Sequence, residues 1–202
     1  MDCDAPRICM IFTTEMDQSA KNMRVIALDV RRERLGYVVF EGTARLVDCD
    51  VTRFQNGVGH VDRVTRLVSM FQPSVVVLRT IEKGSGRDRP SLRKIARRIG
   101  RRLHSTGFPT AYMRDASVKR TFRQCANPTK EEIARLIAAC FPELAWQLPA
   151  RRKPWQSENR RMSIFDAAAL GLAYFAEIDP DAVKECIATA ESFRRPPGGV
   201  AK

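Results

Sequence analysis

Residues 23–30 read MRVIALDV, and after the polar turn RRER at 31–34 residues 35–40 read LGYVVF. Short apolar runs of this kind suit strands covered on both faces rather than strands with one wet side. The turn is too short for a crossover, so the two strands must lie antiparallel. After EGT at 41–43, residues 44–51 (ARLVDCDV) alternate as a half-solvated third strand. The chain therefore opens on a three-strand meander, and this opening sets the fold class.

Downstream the period changes. Residues 60–71 place Val61, Val64, Leu67, Val68 and Phe71 at helical spacing, with Pro73 as a stop. SVVVLR at 74–79 is a buried strand, and 82–89 is a polar loop. Residues 90–104 form a helix with Leu92, Ile95, Ala96, Ile99 and Leu103 on one face and Gly107 beyond its end. A fifth strand at 109–113 and a short helix at 117–124 follow. Residues 129–141 form a helix whose Thr129 and Glu132 stand in capping-box spacing. After a basic, proline-punctuated loop at 148–161 come an almost wholly apolar helix at 163–178 and an amphipathic one at 180–193. This order predicts an α/β fold: a mixed five-stranded sheet, three-strand antiparallel meander plus two parallel strands, flanked by helices. Residues 1–22 read as a flexible N-terminal extension, 23–178 as the domain, and 179–202 as a C-terminal helix with a disordered tail.

The 202 residues are 44% hydrophobic, enough for one sizeable core, and carry a formal charge of +12. Such an excess favours polyanions, nucleic acid first and an acidic membrane surface second, the plain alternative being a generally basic solvated surface. The six cysteines form no CxxC pair and lie far in sequence from His60 and His104, which argues against zinc and for reduced thiols in the cytoplasm. No apolar stretch is long enough to span a membrane. No GxxxxGK[ST] occurs, so nucleoside-triphosphate hydrolysis has no support.

Two acids stand in apolar surroundings. Asp29 closes the first strand, where a carboxylate needs a metal, a hydrogen bond or a cation; a metal site stands equal to a structural role, as a cap for the 31–34 turn or a salt bridge to one of its arginines. Asp166 lies in SIFDAAALGLAYF, either as the N3 residue of a capping box on Ser163 or as a buried acid turned toward Asp29. The candidate nucleic-acid-binding residues are Arg87, Arg93, Lys94, Arg97, Arg98, Arg101 and Arg102, then Arg151, Arg152 and Lys153. On the 90–104 helix they form two stripes beside the apolar face, whose self-repulsion an anionic partner relieves. Trp155, set among the second group, is a base-stacking candidate or a loop anchor.

MRVIALDV, the turn and LGYVVF together resemble the opening of RuvC-type Holliday-junction resolvases of the ribonuclease-H-like superfamily, and FDAAALGLAYF resembles that family's final acidic helix. The resemblance covers residues 23–178. It implies a ribonuclease-H-like sheet, Asp29 and Asp166 as catalytic metal ligands for Mg or Mn, and hydrolysis of structured nucleic acid, DNA more than RNA. In two-metal chemistry the ions sit roughly 4 Å apart, and two aspartates suffice for one of them. The sequence departs from the pattern twice. Arg79 stands where the family's fourth strand ends in a glutamate, leaving Glu82 as a third catalytic acid only if the chain bends. Ser163 stands at the earlier acid of the last helix, with Glu158 just upstream. Two functions follow: a metal-dependent endonuclease, or a catalytically inactive ribonuclease-H-like protein that binds nucleic acid, which Arg79 favours. A sugar-kinase/actin-type nucleotide binder shares the three-strand start but requires a longer, duplicated chain. Family resolvases act as dimers; the sequence shows no interface signature that fixes the oligomeric state here.

Overall fold

The computed structural model describes residues 22–55, 58–82, 84, 89–123, 129–151, 153, 155 and 157–194, without the side chains of 191, 193 and 194. Five strands, β1 (Arg24–Val30), β2 (Arg34–Glu41), β3 (Arg45–Arg53), β4 (Val75–Arg79) and β5 (Thr110–Met113), form one sheet in the order β3-β2-β1-β4-β5. The meander pairs antiparallel, and β4 and β5 add in parallel, as the sequence pattern predicts. The helices are α1 (His60–Phe71), α2 (Pro90–Ser105), α3 (Asp115–Thr121), α4 (Lys130–Cys140), α5 (Met162–Ile178) and α6 (Pro180–Arg194).

Period-2 alternation assigns the sheet's two faces. Ile26, Leu28, Leu35, Val39, Val76 and Leu78 pack beneath α1 and α2. Val25, Ala27, Val38, Phe40, Val75 and Val77 pack against α3 to α6, where Val183, Ile187 and Ala190 of the last helix join the same core. Asp29, Gly36 and Arg79 continue the parity of this second face, on the sheet edge where β1 and β4 end.

Two glycines dock α5 on that face. A Cβ at Gly36 would lie 2.3 Å from the Ser163 carbonyl oxygen, and one at Gly171 would lie 2.4 Å from the Phe40 ring. Eight helical residues advance about 12 Å and four strand residues about 13 Å, so α5 runs parallel to β2 in matched steps. Because Asp29 pairs with Gly36, the first turn of α5 is set down beside the acid of β1.

The Thr129–Glu132 capping box forms at the start of α4. Differences from the sequence reading are local. The short helix begins at Asp115, directly after β5, because the acid suits a helix N-terminus. A 3₁₀ helix spans Pro142–Gln147, between the two elements that the sequence pattern marks as helix and loop. Cys49, Cys140 and Cys186 are half-buried, and Cys140 Sγ donates to the Cys186 carbonyl at 3.4 Å, while Cys3, Cys9 and Cys125 lie outside the described residues. Among the described residues no helix is long and apolar enough to cross a membrane.

Candidate functional site

Asp29 is fully buried and Asp166 nearly so. Taking such a carboxylate out of water costs several kcal/mol unless an opposite charge accompanies it. One guanidinium serves both. Arg31 Nε donates to Asp29 Oδ2 at 2.8 Å, and Arg31 Nη2 donates to Asp166 Oδ2 at 2.7 Å. Arg31 follows Asp29 by two residues and so emerges on the same side of the sheet. Its backbone is fixed as well: its N–H donates to the Arg34 carbonyl at 2.9 Å, and its own carbonyl accepts from His60 Nε2 at 2.8 Å. Burial alone would weaken the guanidinium's hold on its proton, but Asp29 and Asp166 more than reverse this and push it above the ordinary arginine range.

Further cations enclose the pair. Lys130, the first residue of α4, places Nζ 2.6 Å from Asp166 Oδ2 and also pairs with Glu158. Arg34 Nη2 donates to Glu158 Oε2 at 2.6 Å. Glu158 is thereby held below the usual carboxylate range: partial burial acts to raise it, and the Lys130 hydrogen bond with the Lys130, Arg31 and Arg34 charges outweighs that. Arg79 Nε stands 4.0 Å from Asp29 Oδ1, and its Nη1 pairs with Asp115. The cluster is Asp29, Asp166, Glu158 and Asp115 against Arg31, Arg34, Lys130 and Arg79, a neutral set built wholly from side chains.

Several readings from sequence are decided by this geometry. Asp29 takes the salt-bridge alternative, with Arg31 as its partner. Asp166 is not the N3 acid of a capping box: the helix begins at Met162, Arg161 is its N-cap, and no side chain caps it. The buried Ser163 Oγ has no hydrogen-bond partner among the described residues. Glu82 lies beyond β4, half exposed and 3.9 Å from Arg114 Nε, while Glu158 is the glutamate that joins the aspartates through shared cations. Lys130 and Asp115 are not singled out by the sequence, and Arg31 and Arg34 enter there only as members of the 31–34 turn offered to Asp29. The one available signal was Arg31, two residues after a buried acid and therefore on its face.

The metal implied by the resemblance can be tested against these residues. A hard cation needs carboxylate oxygens whose charge is not already matched. Here Asp166 Oδ2 receives both Arg31 and Lys130, Asp29 receives Arg31, and Arg79 occupies the position of the expected third acid. No group of three or more His, Cys, Asp or Glu side chains among the described residues is placed to hold an ion. The residues do not fit Mg or Mn.

Basic side chains are exposed on α2, which covers the sheet face opposite the cluster, and in the clefts that open at Arg34. Along α2, Leu92, Ile95, Ile99 and Leu103 are buried, Lys94, Arg97, Arg98, Arg101 and Arg102 are exposed, and Arg93 is half-buried. Arg151 and Lys153 are exposed, whereas Arg87 and Arg152 lie outside the described residues. Two open clefts meet at Arg34. One joins the 31–34 turn to Arg89 at the start of α2, and the other holds Arg53, Arg151 and Arg160. A cationic track thus leads from α2 past the acid cluster to the 148–161 segment.

No protein-family model matches the chain, and no curated protein matches it. Among solved structures, Thermus thermophilus RuvC matches with a TM-score of 0.55 at 19% identity, covering 77% of this chain and 95% of that one. The yeast mitochondrial Holliday junction resolvase matches with a TM-score of 0.56 at 10% identity, covering 89% and 88%. The fowlpox virus Holliday junction resolvase matches with a TM-score of 0.50 at 15% identity, covering 77% and 99%. A further structure holds T. thermophilus RuvC in complex with a Holliday junction substrate, with a TM-score of 0.54. At these identities the likeness shows the fold: ribonuclease-H-like, of the RuvC type.

Proposed function

We propose that this chain binds branched or otherwise structured nucleic acid, DNA in preference to RNA, and holds it without cutting. The observation that carries this reading is the guanidinium of Arg31 between Asp29 and Asp166. In the proposed role the acids no longer recruit a metal; they fix Arg31 and Lys130, and with them the turn at 31–34 and the start of α4. The exposed arginines of α2 and the track through Arg34, Arg53, Arg151 and Arg160 supply phosphate contacts, which set affinity and orientation without reading sequence. The resolvase-like fold supports a branched partner and the charge of +12 supports a polyanionic one.

The second reading, a Mg- or Mn-dependent nuclease with Asp29, Asp166 and Glu82 as catalytic residues, is favoured by the convergence of the two aspartates at one point. It requires Arg31 and Lys130 to withdraw and Glu82 to leave Arg114. Fluorescence anisotropy on four-way junction, flap, linear duplex and RNA probes of equal length tests the leading proposal. Junction or flap DNA should bind at least about tenfold more tightly than linear duplex, a difference of roughly 1.4 kcal/mol. Equal affinity for every probe would reduce the chain to a non-specific polycation.

A further inference from the structure

The chain contains two tryptophans, and both are exposed: Trp146 at 68% and Trp155 at 79%. A single exposed aromatic is unremarkable, but Trp146 is presented by the period of its own element. A 3₁₀ helix repeats every three residues, so side chains at i and i+3 share a face. In Pro142–Gln147, Leu144 and Gln147 are buried behind Phe141 and anchor the helix, which turns Glu143 and Trp146 outward. The indole therefore stands in water while its backbone is fixed from below.

Each indole is accompanied by a cation. Arg161 Cζ lies 5.7 Å from the Trp146 ring centroid, and Arg161 Nη1 reaches the Trp146 carbonyl at 3.4 Å. Lys153 Nζ lies 5.6 Å from the Trp155 centroid. Arg161 is also the N-cap of α5, and Asp166 lies five residues on, about 8 Å along the helix axis. In the sequence between the two tryptophans, Leu148, Pro149 and Ala150 line a small cleft with Lys130, Glu158 and Met162, which brings this part of the segment against the acid cluster. Residues 142–161 carry five Arg or Lys and two acids, one of which, Glu158, is already paired with Lys130 and Arg34.

Flat aromatic faces beside cations suit a stack of unpaired bases on a phosphate chain, at about 1–3 kcal/mol per base. A membrane surface also accepts tryptophan with basic residues, but such anchoring needs a continuous apolar patch, and here each indole is flanked by charge. We infer that Trp146 and Trp155 form a base-stacking edge for unpaired nucleotides beside the acid cluster. The partner would then be a nucleic acid with exposed single-stranded bases at or near its branch. This inference rests on the nucleic-acid reading above and narrows its substrate class.

Because these are the chain's sole tryptophans, intrinsic emission reports the contact directly. Titration with short oligothymidylate should quench the emission, and Trp146→Phe and Trp155→Phe should each remove part of the quench. Trp146→Ala and Trp155→Ala should each weaken oligothymidylate binding about tenfold while changing linear-duplex affinity less than twofold. Circular dichroism and melting temperature check that the alanine variants fold. Oligothymidylate that binds by anisotropy but leaves emission and variant affinities unchanged overturns the stacking edge while the nucleic-acid reading stands. Quenching by anionic phosphatidylserine vesicles and not by oligothymidylate overturns it in favour of a membrane surface. A chain that binds no nucleic acid probe overturns both.

Discussion

Replacing Arg31 by glutamine removes the group that spans two buried carboxylates and leaves them facing one another. Deleting one member of a buried ion pair typically costs about 3–5 kcal/mol. Two features moderate that here: the Arg31 side chain retains 22% of its exposure, and Lys130 Nζ remains 2.6 Å from Asp166 Oδ2. The expected loss is therefore about 2–3 kcal/mol, or about 4–12 °C in melting temperature for a chain of this size. Urea unfolding at neutral pH measures it. Adding Asp29→Asn to Arg31→Gln removes the like-charge conflict, so the double variant should be more stable than Arg31→Gln alone, a coupling that a double-mutant cycle isolates. Arg31→Gln frees Asp29 of its guanidinium while Lys130 still holds Asp166, so adding Lys130→Gln returns both carboxylates to the pool of metal-competent oxygens. Mn²⁺ should then stabilise the Arg31→Gln, Lys130→Gln variant, by about 2.7 kcal/mol once its concentration reaches a hundredfold over Kd, and leave the wild type unmoved. An Arg31→Gln protein within about 0.5 kcal/mol of wild type would refute the bridging role, since surface substitutions fall in that range. Equal Mn²⁺ stabilisation of that variant and the wild type would refute the claim that Arg31 and Lys130 block metal.

Other consequences are equally direct. Gly36→Ala drives a methyl group into the Ser163 carbonyl at 2.3 Å, so it should cost at least about 1–3 kcal/mol in urea unfolding; a neutral variant would show that α5 is not seated on β2 at this point. Glu158 has a folded pKa below its ordinary value of 4.5, so its contribution to stability is present above that value and disappears as pH falls through the depressed one. Wild type should accordingly exceed Glu158→Gln in stability at neutral pH, with the gap closing below about pH 4.5; a gap independent of pH would remove the ionic contribution. Arg98→Gln combined with Arg102→Gln on α2 should lower the slope of log K against log salt by up to about 1.8 on duplex DNA, without a melting shift worth more than about 0.5 kcal/mol. An unchanged slope would take α2 out of the interface.

Much of the fold could be read because its signals are local and repetitive. MRVIALDV and LGYVVF need burial on both faces, the four-residue turn forces antiparallel pairing, and Thr129 with Glu132 writes a helix start into the chain. Gly36 was visible as the second residue of a strand, but its purpose, admitting the Ser163 backbone, depends on a helix that arrives 127 residues later. The site was half legible for the same reason. Asp29 and Asp166 stood out as acids among apolar neighbours, and each carried an alternative that only tertiary placement could decide. Lys130 reads from sequence as the opening residue of an ordinary helix; its charge matters because α4 begins where α5 delivers Asp166. Glu82 and Glu158 show the limit of counting along the chain. Glu82 is three residues past the end of β4, yet pairs outward with Arg114, whereas Glu158, 79 residues beyond Arg79, is carried into the cluster by the segment preceding α5.

In the proposed role, side-chain cations have taken over the acids of a resolvase-like fold. Incubating the wild-type chain with labelled four-way junction DNA in millimolar Mg²⁺ or Mn²⁺, and resolving both the complex and the denatured strands, tests it most directly. The junction should be shifted and intact in either metal, with no strand shorter than the input. Metal-dependent scission that Asp29→Asn and Asp166→Asn each abolish would contradict it and restore the two aspartates to a working nuclease.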